Sequence, residues 1–215
     1  MHPNLVKDLR AGWEFQLNYA IQHPQCVGIG PSGFDFKRTP ENWELQREVL
    51  RTHLDIAQAH DITIVVCLKG EEAFDKFLEM GIHHPSPIVL HGCTGAWDKV
   101  RALLDSDNKI FLGINGLILR NGPEAEAMRE VVKNAPLDSI IIESGAPKIK
   151  IPHAKSLQAE KSTPGCLRRI CQEILKIKNV VDPSIVDIRP LAMQIFKNSL
   201  CAFPVKSSGK VPTWV

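Results

Sequence analysis

Apolar positions along this chain fall into two alternating kinds of segment. The first kind repeats every three or four residues. Leu5, Leu9, Trp13, Leu17 and Ala20, behind a capping Asn4, predict a helix from Asn4 to about Gln22. The second kind is short, unbroken and β-branched. Ile62-Thr63-Ile64-Val65-Val66-Cys67-Leu68 predicts a buried strand. Further strands are predicted at Cys26–Gly30, Pro87–His91, Ile110–Ile114 and Ser139–Glu143. Between them lie predicted helices. One opens at Thr39-Pro40-Glu41 and runs to near His60, carrying Trp43, Leu45, Val49, Leu50, Leu54 and Ala57. Others cover Glu71–Met80, with Gly81 as C-cap, then Ala96–Leu104 and Pro123–Val132. Ser144–Ser162 is polar, contains prolines and reads as a loop. Thr163-Pro164 and Asp182-Pro183 start two closing helices, to about Ile177 and about Leu200. Residues 1–203 read as one domain and 204–215 as a flexible tail.

Continuous apolar strands separated by helices predict an α/β fold with a parallel sheet buried on both faces. In such folds the chemistry gathers beyond the C-terminal ends of the strands. That rule selects Gly30–Asp35, Val66–Lys69, His91–Gly95, Ile114–Gly116 and Glu143–Pro147.

Composition narrows the class only modestly. At 215 residues, 44% hydrophobic and 23% charged, the chain is neither disordered nor fibrous. A net charge of +2 does not argue for nucleic acid, and does not exclude a locally basic groove. No apolar run is long enough to span a bilayer, and no membrane partner is expected. The first residues show no secretory pattern. The six cysteines form no C-x-x-C pair and read as reduced core thiols, so a cytoplasmic or nuclear location is expected. There is no G-x-S-x-G, G-x-G-x-x-G or Walker-type loop.

Taken in order, the strand-end segments resemble the TatD family of metal-dependent DNases, amidohydrolase-like TIM barrels. Val27–Asp35 resembles the family's A-I-G-E-x-G-L-D strand end. Ile62–Leu68 resembles P-V-I-I-H-x-R, and His91-Gly92-Cys93-Thr94-Gly95 resembles H-C-F-S-G. Phe111–Gly116 resembles Y-I-G-I-S-G, and Glu143-Ser144-Gly145-Ala146-Pro147 resembles E-T-D-A-P. His2-Pro3 resembles part of the G-x-H-P-H turn. The resemblance implies an incomplete TIM-type barrel of about five strands, truncated before the third strand's end and lacking the H-x-H pair of the first.

It also implies a degenerate metal site. The bridging Glu is Pro31, the strand's His and Arg are Val66 and Leu68, and the Asp of E-T-D is Gly145. Such side chains offer no metal ligand. His91 is the one retained ligand, with Asp35, Asn115 and Glu143 as pocket-lining candidates. The reading that follows is a TatD-like protein that has lost hydrolysis, a non-catalytic remnant or binding protein without a cofactor. Its alternative is a DNase or phosphodiesterase with a rearranged site using Mg²⁺, Mn²⁺ or Zn²⁺, in which case DNA is the partner. Lys148 and Lys150 either touch phosphate near the mouth or belong to a solvated loop. Two further partners are expected. Thr213 and Val215 fit a PDZ-binding C-terminus, and open sheet edges invite self-association unless Trp13 and Leu17 fold over the first strand.

Overall fold

The structure, a computed structural model, describes residues 1–152 and 159–204, with residues 159 and 160 described by their backbone only. In chain order a 3-10 turn (Pro3–Asp8) and α1 (Trp13–Ile21) lead into β1 (Gly28–Asp35) and α2 (Trp43–His60). Then come β2 (Thr63–Lys69), α3 (Glu71–Glu79), β3 (Ile88–Leu90), α4 (Trp97–Leu104), β4 (Ile110–Ile114), α5 (Pro123–Asn134) and β5 (Ile140–Ile142). A small hairpin, β6 (Lys150–Pro152) with β7 (Ala159–Lys161), precedes α6 (Leu167–Val181) and α7 (Ile188–Ala202). The five strands pair in parallel in the order β1-β2-β3-β4-β5. This is the predicted incomplete barrel, an arc whose end strands are β1 and β5.

The pleat divides the side chains between two faces. Ile64, Val66, Leu68, Ile88, Leu90, Leu112, Ile114 and Ile140 point outward and form the main core against the helices. Val89, Phe111 and Ile141, with Val65, point inward and form a smaller cluster. The end of α7 crosses the foot of this inner face. Ala202 and Phe203 pack on the cluster, and the Thr63 hydroxyl donates to the Ala202 carbonyl at 2.5 Å.

Four elements differ from expectation for identifiable reasons. The first predicted helix is broken: Leu9 is extended and Gly12 takes a left-handed φ of 81°, so α1 begins only at Trp13. The predicted loop at Ser144–Ser162 contains the β6–β7 hairpin, anchored by buried Ile151. Asp182-Pro183 does not start a helix. Asp182 instead accepts from the Ser184 amide and hydroxyl in a turn, and Asp187 caps α7 through the Arg189 amide at 2.9 Å. The first strand runs on to Asp35 past an irregularity between Ile29 and Ser32.

The cover over β1 also differs. The Pro3–Asp8 turn, with Val6 buried, lies against β1. α1 lies on α2 instead, where Trp13 stacks on His53 at 5.3 Å. On the opposite side Asn198 of α7 donates to the carbonyls of Leu137 and Ile140, satisfying part of the β5 edge. No disulfide forms; Cys67, Cys93, Cys166 and Cys171 are buried thiols, whereas Cys201 is exposed. Among the described residues no helix is long and apolar enough to cross a membrane. The expected PDZ-binding residues Thr213 and Val215 lie outside the described residues.

Candidate active site at the strand ends

The same alternation that places Val65 and Val89 inward carries Cys67, Lys69, His91 and Glu143 to the inner rim at the strands' C-terminal ends. The His91 amide donates to Val66 O at 2.7 Å, so the residue continues the β3 ladder by one step. Its Nδ1 stands 3.0 Å from Glu143 Oε1. A carboxylate only accepts, so the ring proton belongs on Nδ1 and Nε2 is left with its lone pair. The other Glu143 oxygen accepts from the Gly92 amide at 3.1 Å.

Glu143 follows β5, yet its partners follow β3. It reaches them by crossing β4 at Gly113. A Cβ on Gly113 would come within 2.5 Å of Glu143 Oε1. The missing side chain is therefore the passage through which the pair forms. His91 keeps 36% of its side-chain surface exposed and Glu143 18%, so a solute reaches the imidazole.

Lys69 sits beside this pair. Its Nζ donates to the Gly92 carbonyl at 3.2 Å, which fixes a cation next to the imidazole. His2 is brought to the same rim. Its Nε2 lies 3.7 Å from Cys67 Sγ, and burial lowers its pKa. Burial pushes the Cys67 thiol up to about 11 and that of Cys93 up to about 12, so both are protonated near neutrality.

The other expected site residues divide. Asp35 is buried and its Oδ1 accepts from the amides of Lys37 and Arg38, which makes it a turn cap at the end of β1. Asn115 lies against Gly92 in the wall of the site, but its Oδ1 accepts from the Leu117 amide and caps a 3-10 turn. Val66, expected at the position of a ligand His, points away into the helix-facing core. The inward residue of that strand is Cys67, and the inward residue two further on is Lys69 rather than Leu68. The sequence puts Cys67 and Lys69 in a selected strand-end segment and His2 in a resembling turn, but singles out none of them as a site residue. The signal that finds the first two is the phase of the strand, fixed by the pairing of Gly33 with Cys67 and of Asp35 with Lys69.

These residues do not fit a resident divalent ion. Among the described residues no group of three or more His, Cys, Asp or Glu side chains could hold a metal. The carboxylate nearest His91 is engaged with His91 and Gly92, and the Cys67 thiol is held protonated.

The fold and the rim define a class: a parallel α/β barrel arc with an imidazole–carboxylate pair at the strand ends. The profile of the TatD related DNase family matches residues 1–203, and the chain belongs to that family. Among curated relatives it is 28% identical over 169 residues to a putative deoxyribonuclease TATDN1 homologue of Vairimorpha ceranae, covering 74% of this chain and 61% of that protein. It is also 28% identical over 150 residues to the 3′-5′ ssDNA/RNA exonuclease TatD of Escherichia coli, covering 68% and 56%. The chain thus spans less than two thirds of these relatives' length. The crystal structure of YjjV, a TatD homologue of Escherichia coli, superposes with a TM-score of 0.77 at 20% identity, covering 96% of this chain and 75% of that one.

Proposed function

We propose that this chain acts on the phosphodiester backbone of nucleic acids as a nuclease of the TatD type with a rearranged site. The observation that carries this reading is the half-buried but solvent-reached His91–Glu143 pair, set at the strand ends of a chain that fits a DNase family over residues 1–203. Glu143 holds the Nδ1 proton and orients the ring, so that Nε2 takes a proton from water attacking phosphorus; the ester P–O bond then breaks and the imidazolium returns that proton to the leaving oxygen. Lys69 offsets charge on the non-bridging oxygens as the trigonal bipyramid forms. A divalent ion would activate the water and stabilise the leaving oxygen, but the described residues do not fit one, and no step here runs through it. General base catalysis contributes about 10²–10⁴-fold. Slow turnover is expected.

A second reading, a nucleic-acid-binding protein without hydrolysis, is favoured by a specific observation. Pro31, Val66 and Gly145 stand where the resemblance places ligands, Cys67 takes the inward position beside Val66 as a protonated thiol, and none of them supplies a ligand near neutral pH. One experiment separates the two. A labelled single-stranded oligonucleotide is incubated with the protein in EDTA, and again with Mg²⁺, Mn²⁺ or Zn²⁺. Slow cleavage that survives chelation and is lost in His91→Ala is the expected result. Saturable binding without cleavage would establish the second reading. Neither binding nor cleavage would defeat both.

A further inference from the structure

The near-neutral total of 26 basic and 24 acidic residues conceals a local excess. In the β6–β7 hairpin Lys150 and Lys161 are directly opposite one another in register, and both are exposed. Directly opposed like charges destabilise a strand pair, so this hairpin gains when an anion lies over it. Lys148, also exposed, precedes it and is within electrostatic reach of His2 at the active-site rim. Beyond the hairpin Arg169 of α6 donates to the Pro152 carbonyl at 2.6 Å.

Arg169 also lines a groove of about 530 Å³ with Arg129 and Lys176. Its apolar lining is Leu119 and Leu175, and among the described residues Glu173 is the one carboxylate on its wall. Glu173 meets Lys176 at 3.1 Å in an exposed pair, which is worth little in water. Arg129 is held by the carbonyls of Ile118 and Arg120, so its guanidinium plane is fixed in the groove. Guanidinium planes stack on bases and bind phosphate, and cationic grooves with flat partners suit single strands better than stiff duplexes.

We propose that the hairpin lysines and the α5–α6 groove form a track for the backbone of single-stranded nucleic acid, leading away from the strand-end site. This rests on the proposed function for its starting point, and adds where the rest of the strand lies. Nucleic acid is favoured over an anionic membrane because Arg129, Arg169 and Lys176 line a concave groove rather than a flat or apolar face.

The test is fluorescence anisotropy with labelled four- and twenty-nucleotide oligothymidylates across a salt series. It uses the full chain, Lys150→Glu/Lys161→Glu and Lys150→Arg/Lys161→Arg, with melting temperatures as a folding control. The Glu variant is expected to bind the twenty-mer at least tenfold more weakly, with a log–log salt slope shallower by about 1.4 for two lost phosphate contacts. The four-mer is expected to be unaffected, and the Arg variant to retain wild-type binding. Twenty-mer affinity within twofold of wild type in the Glu variant would overturn the track, as would equal loss for both lengths. Lysine-dependent binding to phosphatidylserine vesicles in the absence of oligonucleotide binding would also overturn it. Track-dependent binding by a wild-type protein that cleaves nothing would defeat the proposed hydrolysis and leave the track standing.

Discussion

At the scale of single residues, the site depends on what two glycines omit. Gly113 leaves the passage for Glu143, so Gly113→Ala is expected to displace the carboxylate from His91 and cost about 1–3 kcal/mol by overpacking. Nitrogen-15 NMR of the imidazole checks it: the proton, held on Nδ1 in the parent, should redistribute toward Nε2. Gly145 has a φ of 66°, and a Cβ there would collide with Ile149 Cδ1. The resemblance implies Glu, His and Asp at Pro31, Val66 and Gly145; with the His moved to the inward position, Pro31→Glu, Cys67→His and Gly145→Asp together are therefore expected to strain the loop without creating a tight metal centre. Titration calorimetry with Mn²⁺ or Zn²⁺ checks this, and micromolar binding at two sites would contradict it. That His91 and Glu143 stand at strand ends is legible in the sequence; that they pair is not. Nor is the inward position of β2, because an unbroken apolar strand has no polar alternation to set its phase; the motif's register points to Val66, whereas Cys67 faces inward. That Lys69 and His2 meet His91 is not legible, because strand pairing and chain reversal bring them there, not proximity in sequence.

At the scale of elements, the β-branched runs announced their strands, and the arc of five was readable from them. Helix ends were less so, because Gly12 and the Asp182–Ser184 turn override a good apolar period. α2 illustrates a consequence that no periodicity announces. Its His53 is 1% exposed, donates from Nδ1 to Val49 O, and sits under Trp13. Burial lowers its pKa from 6.5 to about 4, helped by the positive N-terminus. The folded state thus resists a proton that the unfolded chain accepts. Stability from this source is complete above about pH 6.5 and is lost as pH falls toward 4, by about 3 kcal/mol in all. Urea unfolding at pH 7 and pH 5 is expected to show the fall, and His53→Gln to flatten it. An equally steep profile in the variant would assign the effect elsewhere.

At the scale of the whole molecule, the inner face and two end strands decide behaviour. Where the Pro3–Asp8 turn and Asn198 leave the marginal strands β1 and β5 uncovered, the arc presents backbone groups to a second chain, and we propose self-association there. Light scattering over a concentration series is expected to show dimers or larger species; a clean monomer at all concentrations would refute it. The crossing of α7 beneath the sheet has a kinetic consequence. Thr63 and Ala202 are joined across 139 residues of sequence, so this bond closes one of the longest loops in the chain. Such a loop is costly to close before the rest of the sheet exists. During synthesis the N-terminal strands emerge long before Ala202, leaving Val89, Phe111 and Ile141 uncovered until the final helix arrives. Thr63→Val should therefore hasten unfolding while leaving the folding rate nearly unchanged, as stopped-flow chevrons would show. The last helix then acts as a latch set after the barrel wall is built, and the interval before it closes is when a nascent chain is most exposed to chaperones or to its own copies.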